Sequence, residues 1–401
     1  MIKRSFTGIT VSLLLLSLAT RAQTIPIDDS GLRNYSFVKL VFNRILNARG
    51  LDSFYQKLYQ LKSSGSGTVS IVHIGDSHIQ ADFLSGVARE GFQQFFGNAG
   101  RGLVFPYQLA QSNAPDDISS FSNTSWQFNR LAHPEIVFPY GVSGFGVQTS
   151  SRDAGFTLSL RDGETFNRLK LFTGNTNWTL TTTGGDSAYV VNDRDSIGYH
   201  EVQLANPASS FSLNALPSDS IKEFYGASLE NSLPGVLYHT IGVNGARYDQ
   251  YNIADRFWEQ LPALKADLYI VSLGTNEAQR ATFPESSFIS ELNTFIQKLK
   301  KSSPGASILI TTAPDSYKGR KFNLVLKQLN TALTNYCNKN FIPLWDLYNI
   351  TNGYGSAYSW SRRGLMARDR VHFTSAGYRL QGNLLFTALG KGYNSYYSTI
   401  K

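Results

Sequence analysis

With 401 residues, 42% of them hydrophobic, the chain has material for at least one sizeable core and, by length, for two domains. Charged residues make up only 16% while Tyr (21) and Phe (26) are plentiful, which argues against disorder. The formal charge of +8 is not gathered into any long run of Lys and Arg, so nucleic acid is not an expected partner.

In chain order, Lys3 and Arg4 precede a mostly apolar run from Val11 to Leu18 and small residues ending at Ala22. That is the layout of a cleavable signal peptide over 1–22, so an exported, periplasmic or extracellular protein is expected. Loss of Lys3, Arg4 and Arg21 with it would leave a charge of +5. The run is short, and it is interrupted at Ser12 and Ser17. Nothing later approaches the ~20 apolar residues of a membrane helix, so no transmembrane segment is expected. Cys337 is the only cysteine, which excludes an internal disulfide. It lies in the apolar-periodic stretch Phe322 to Lys339, where a lone Cys reads as a small buried hydrophobe.

The run from Thr68 to Ile74 is apolar and β-branched and ends at Gly75, after which Ile79 to Phe96 reads as a helix. Similar strand-like runs recur at Leu268 to Leu273, Ile308 to Thr312 and Phe341 to Leu344, with helix-like Ser286 to Lys301 and Phe322 to Lys339 between them. Near-continuous apolar strands alternating with amphipathic helices predict a parallel sheet covered on both faces. Between Ser112 and Ser232 the texture changes to short alternating segments such as Phe156 to Leu160, broken by Gly, Asn, Asp and Ser. This predicts a β-sandwich inserted at 112–232 into an α/β domain made of 23–111 and 233–401, which the strand-like Val236 to Val243 rejoins.

Three segments carry candidate chemistry. Gly75-Asp76-Ser77-His78 sits where the first strand turns into a helix, so Ser77 has its hydroxyl at the ligand-binding edge of the sheet and its N–H at a helix start. Gly274-Thr275-Asn276-Glu277 follows another strand, and the Asn276 amide can donate to an oxyanion at the same edge. Asp369-Arg370-Val371-His372 precedes the helix-like Ala376 to Leu389, and an Asp can hold a His in the tautomer that accepts a proton from a serine.

In this order the segments resemble the SGNH (GDSL-like) hydrolase superfamily, with His78 where the commoner form has Leu. The resemblance implies a flavodoxin-like three-layer α/β/α domain. It implies Ser77 as nucleophile, His372 as general base and then acid, and Asp369 as its orienter. The oxyanion hole would be the N–H groups of Ser77 and Gly245 with the Asn276 amide, Gly242 competing with Gly245. No cofactor and no metal are implied. The wording Gly75 to Asp82 and the β-rich insert are similar to bacterial peptidoglycan O-acetylesterases with an inserted carbohydrate-binding-like β module. That likeness implies an O-acetylated glycan as substrate. Acetylesterases of plant or capsular polysaccharide, a glycan O-acetyltransferase and a non-catalytic glycan-binding protein are the alternatives. A metal site made of Asp76, His78, Asp369 and His372 is a rival to the serine mechanism. His78, Trp360, Arg362 and Arg363 are candidate substrate contacts, the last three because they lead into Asp369. His73 and His239 read as core residues within strands, and Trp126 and Trp178 as sandwich core or sugar platform.

Overall fold

The computed structural model describes residues 23–133, 138–190 and 198–401, so the expected signal peptide lies outside the described residues. Six strands form one sheet in the spatial order Ile45–Leu46, Leu344–Trp345, Ser307–Thr311, Leu268–Ser272, Thr68–Gly75, Gly235–Gly242. All pairs are parallel except at the edge, where Ile45–Leu46 runs antiparallel to Leu344–Trp345. Counted along the chain, the five parallel strands lie in the flavodoxin-like order 2-1-3-4-5. The order reverses between Thr68–Gly75 and Leu268–Ser272, and a ligand crevice opens at such a switch point.

Apolar residues alternate across this sheet. Val69 and Ile71 join a core with Phe54, Phe92 and Leu385, whereas Val72 and Ile74 join one with Leu292, Phe295 and Leu329. This is the two-residue period of strands buried on both faces. Helices Asp52–Ser64, Phe83–Phe96 and Ser375–Thr399 cover the first face, and Glu285–Ser302 and Leu324–Lys339 the second.

Two expected elements shift. The helix expected from Ile79 to Phe96 is two, Ser77–Gln80 and Phe83–Phe96, because Asp82 turns the chain at φ 60. Its buried carboxylate accepts from Ser85 and Thr240 and pairs with Arg89 and Arg101. The last parallel strand is Leu344–Trp345 and not Phe341 to Leu344, since Phe341 is exposed with φ 54. Cys337 is buried, and burial pushes its thiol up to about 12.

Two antiparallel sheets form a separate all-β domain. One is ordered Ser187–Val190, Trp178–Thr182, Ser210–Ala215, Gly155–Leu160, Ile118–Phe121. The other is ordered His200–Ala208, Phe166–Thr173, Lys222–Glu230, Phe145–Thr149, Gln127–Arg130. Between them Phe156 meets Phe224 at 4.8 Å, and Trp178 is fully buried. Trp126 is half-buried, its Nε1 donating to Ser122 Oγ at 2.9 Å. Strand Gly102–Val104, which precedes Ser112, pairs with Lys222–Glu230, and the sandwich core is continuous with the Val72 and Ile74 face of the α/β sheet.

Candidate active site

The strand Thr68–Gly75 ends in a turn only glycine allows: a Cβ on Gly75 would lie 2.4 Å from Ile79 Cγ1 and 2.9 Å from Ser272 O. Asp76 then caps the helix Ser77–Gln80, its Oδ1 accepting from His78 N at 3.0 Å. Ser77 is thereby the first helical residue, half-exposed, with Oγ 2.9 Å from His372 Nε2. His372 Nδ1 donates to Asp369 Oδ2 at 2.7 Å. A proton on Nδ1 leaves Nε2 free to accept from the Ser77 hydroxyl.

The loop that presents Asp369 and His372 is set by Arg370, at φ 55, so that Asp369 Oδ1 accepts the N–H groups of Val371 (2.9 Å) and His372 (3.0 Å). Partial burial pushes the Asp369 carboxyl up, but the bonds from the His372 imidazole and these N–H groups outweigh it and hold the carboxyl below its ordinary range. The side chains of His372 and Asp369 are 42% and 50% exposed, so the triad lies at an open edge, not in a closed pocket.

Beside Ser77, the strand Gly235–Gly242 ends in a turn that reaches Gly245, at φ 86. Gly242 is a packing glycine, since a Cβ there would lie 2.2 Å from Gln80 N, whereas a Cβ on Gly245 meets only Ala132 Cβ at 3.4 Å. Gly245 therefore occupies the open turn. Among the described residues, neither the Ser77 nor the Gly245 N–H donates to a protein acceptor. Asn276 stands after the neighbouring strand Leu268–Ser272, across the switch point from Ser77. Its Nδ2 donates to Ala246 O at 3.0 Å and, at a long 3.4 Å, to Asp76 Oδ2. The second bond is the weaker and leaves one hydrogen that a reacting oxygen can capture.

A family profile described as GDSL-like Lipase/Acylhydrolase matches residues 209–380, a span that holds Gly245, Asn276, Asp369 and His372. Ser77 lies outside that span, and the fold brings it to His372. The matched part of the chain is therefore similar to the GDSL-like Lipase/Acylhydrolase family. Among solved structures the chain is similar to one described as "Peptidoglycan O-acetylesterase in action, 5 min", at 24% identity, 86% coverage of this chain, 96% of that chain and TM-score 0.73. Also similar are a carbohydrate esterase family 2 enzyme with its carbohydrate binding domain from Corynascus thermopiles (Myceliophthora fergusii) and a lipase/acylhydrolase from Enterococcus faecalis. The first shows 11% identity, 68% and 100% coverage and TM-score 0.31; the second shows 19%, 39% and 77%, and 0.31. No curated protein matches the chain.

Around this site, several expected substrate contacts have other work. Trp360 is buried, donates from Nε1 to Thr351 O at 3.2 Å and packs edge-on against Phe37 and Phe373. It is a core support beneath the His372 loop and not a sugar platform, because its ring has no free face. Arg363 lies over the Phe37 ring at 4.3 Å and donates to Ser359 O. Arg362 is exposed, and no bond joins it to the triad. His78 is buried behind His372, rings 5.6 Å apart, with Nδ1 3.0 Å from Tyr378 Oη. Burial, with the His372 charge second, pushes His78 down to about 3, so it is a neutral wall behind His372 and not a surface contact.

His73 is satisfied in the core by Tyr238 Oη at 2.9 Å and Ser272 Oγ at 2.8 Å, and burial lowers both His73 and His239 to about 3. Among the described residues no three His, Cys, Asp or Glu side chains converge as a metal cage would, and no helix is long and apolar enough to cross a membrane.

Two features escaped the sequence reading. Asp76 and Glu277 are buried carboxyls on either side of Asn276, each pushed up to about 7 by burial. Glu277 Oε1 accepts from Tyr248 N at 2.8 Å and so anchors the start of the helix after Gly245. Gln80, three residues after Ser77 on the same helical turn, was legible only as a polar residue at helical spacing from the nucleophile.

Proposed function

We propose that the chain is an exported serine esterase that removes O-acetyl groups from a glycan, peptidoglycan foremost, through an acyl-enzyme on Ser77. The observation that carries the reading is the unbroken chain of bonds from Ser77 Oγ to His372 to Asp369 at an open sheet edge. His372 Nε2 takes the Ser77 proton as Oγ attacks the acetyl carbonyl. The tetrahedral oxyanion forms toward the N–H groups of Ser77 and Gly245 and the Asn276 amide, where charge develops in the transition state. His372 then gives its proton to the departing sugar oxygen, and Asp369 stabilises the transient imidazolium. Water, deprotonated by His372, attacks the acetyl-Ser77 carbonyl, the bond to Ser77 Oγ breaks to release acetate, and His372 returns the proton to Oγ. No step needs a cofactor.

An open site suits an ester borne on a polymer, because a long chain can lie across it without threading. The peptidoglycan preference rests on the wording Gly75 to Asp82, the inserted β domain and the likeness to a protein described as a peptidoglycan O-acetylesterase. Export rests on residues 1–22 and would give a mature protein beginning at Gln23. The deciding experiment measures acetate released from O-acetylated murein and from acetylated xylan by the protein and by Ser77→Ala. Release from murein that vanishes in a folded Ser77→Ala supports the reading. Release from xylan alone would move the substrate to plant polysaccharide, and full activity in Ser77→Ala would end the serine mechanism.

A further inference from the structure

We infer that Gln80 is the positioning residue of the oxyanion turn and ties that turn to the entrance of the β domain. Its side chain is buried, at 1% exposed, and uses both ends of its amide. Oε1 accepts from Asn244 N at 2.8 Å, while Nε2 donates to Ser112 Oγ at 2.8 Å and Asn113 O at 3.1 Å. One side chain thus joins three segments that are far apart in sequence. These are the helical turn that carries Ser77, the turn that carries Gly245, and the chain on its way from the α/β domain into the β domain.

The turn around Gly245 needs such a tether. Packing does not fix it, since a Cβ on Gly245 would touch only Ala132. Its internal bond is Ala246 N to Val243 O at 3.0 Å, and Asn276 holds Ala246 O from outside. The Gln80 bond to Asn244 lies one residue from Gly245 and comes from the same helix as Ser77, so it sets the separation of the two backbone donors. An oxyanion hole works only when its donors stay within about 0.5 Å of their productive positions, about 2.7–3.1 Å from the reacting oxygen. The backbone of Gln80 is also fixed, because Gly242 packs against it too closely for any side chain. On the other side, the bonds to Ser112 and Asn113 fix the Gly245 turn relative to the entrance of the β domain. This inference rests on the reading of Ser77 and Gly245 as oxyanion donors.

The test compares Gln80→Leu, Gln80→Glu and Ser112→Ala with the unaltered protein, using a small acetyl ester and amide hydrogen exchange, with Ser77→Ala alongside. Leu keeps the bulk and loses all three bonds. It should lower kcat roughly 10- to 100-fold, less than loss of a whole oxyanion donor, with KM changed less than about twofold. Exchange should quicken at 243–246 and 112–113 while the strand Thr68–Gly75 stays protected. Glu retains the acceptor for Asn244 and should recover much of the kcat, and Ser112→Ala should show the same exchange change more weakly. If Gln80→Leu does not fold, those two variants carry the test. Unchanged kcat and unchanged exchange at 243–246 overturn the inference. So does a general rise in exchange across the sheet with kcat falling and KM rising, which marks a merely structural residue. If Ser77→Ala keeps its activity, the functional reading fails, while exchange at 243–246 still decides whether Gln80 tethers the turn.

Discussion

Replacing Asp76 by Asn separates the two things its carboxyl does. In the folded protein burial pushes this group from 3.8 up to about 7, so between those values the folded state holds a proton that the unfolded state has lost. Stability from this group is therefore full below pH ~4, falls as pH rises through about 7, and then levels off. Between about pH 5 and pH 8 the carboxyl crosses about two pKa units at 1.36 kcal/mol each, a loss of ~3 kcal/mol. Glu277, raised to about 7, adds loss of the same sign, whereas His73, His78 and His239, lowered to about 3, lose stability as pH falls below 6.5. These opposing contributions are shared by the variant and cancel when it is compared with the unaltered protein. Urea unfolding at the two pH values should show Asp76→Asn gaining ~3 kcal/mol relative to the unaltered protein on going from pH 5 to pH 8. At the same time the Asn276 amide faces an NH2 in place of a carboxylate oxygen and loses its second acceptor. A hydrogen bond of net ~1 kcal/mol there converts to a roughly 5- to 10-fold drop in kcat. An equal stability difference at both pH values would refute the buried-carboxyl reasoning.

Asn276→Ala removes the amide donor itself and should lower kcat by roughly 10²–10³ with little change in KM; a rise in KM alone would assign Asn276 to ground-state binding. Trp360→Ala should destabilise the fold by ~3–5 kcal/mol, read by urea unfolding, while the folded fraction keeps its KM for polymeric substrate. A selective KM effect with intact stability would restore Trp360 as a sugar contact. Excising Ser112 to Ser232 should abolish cooperative unfolding as followed by circular dichroism, since it removes the sandwich part of the apolar cluster that packs on the Val72 and Ile74 face of the α/β sheet. A folded, esterase-active remnant would show the β domain to be separable.

The fold was legible because its signals are local. Runs such as Thr68 to Ile74 and Leu268 to Leu273 carry their own burial pattern, and each ends in glycine or a small residue where the chain must turn. Ser77, Asp369 and His372 could be singled out because each sits beside a strand end or a helix start, and the fold brings the three within hydrogen-bond reach of one another. What stayed hidden depends on long-range packing. Nothing near Trp360 says that Phe37, over 300 residues earlier in the sequence, will cover its face. Arg362 and Arg363 looked like contacts because they are near Asp369 in sequence, yet Arg363 lies over Phe37 and Arg362 is exposed at the end of the helix Ser356–Arg362. The break at Asp82 was missed because an apolar period continues across it, while the cause is an ion cluster with Arg101, beyond the helix.

The way the two domains share structure bears on how the site is used. Gly102–Val104 leaves the α/β domain already paired with a strand of the sandwich, and Gly102 lies so close to Tyr238 that a Cβ would be 2.3 Å from its carbonyl oxygen. The strand Gly235–Gly242 that bears Tyr238 ends at the turn of Gly245. Sheet, sandwich and oxyanion turn are therefore fixed to one another through close backbone packing and one continuous apolar cluster. In such an arrangement the β domain cannot swing as an appendage on a flexible linker, and tethering by effective concentration is not its mode of action. Under the proposed function its contribution would come through fixed geometry: a rigid wall that admits a polymer in a limited set of poses, each presenting a particular ester to Ser77. On the same proposal, specificity for a long glycan would then arise from which acetyl groups reach an otherwise open triad, and changes on the sandwich surface should alter which positions are hydrolysed more than how fast a free small ester is cleaved.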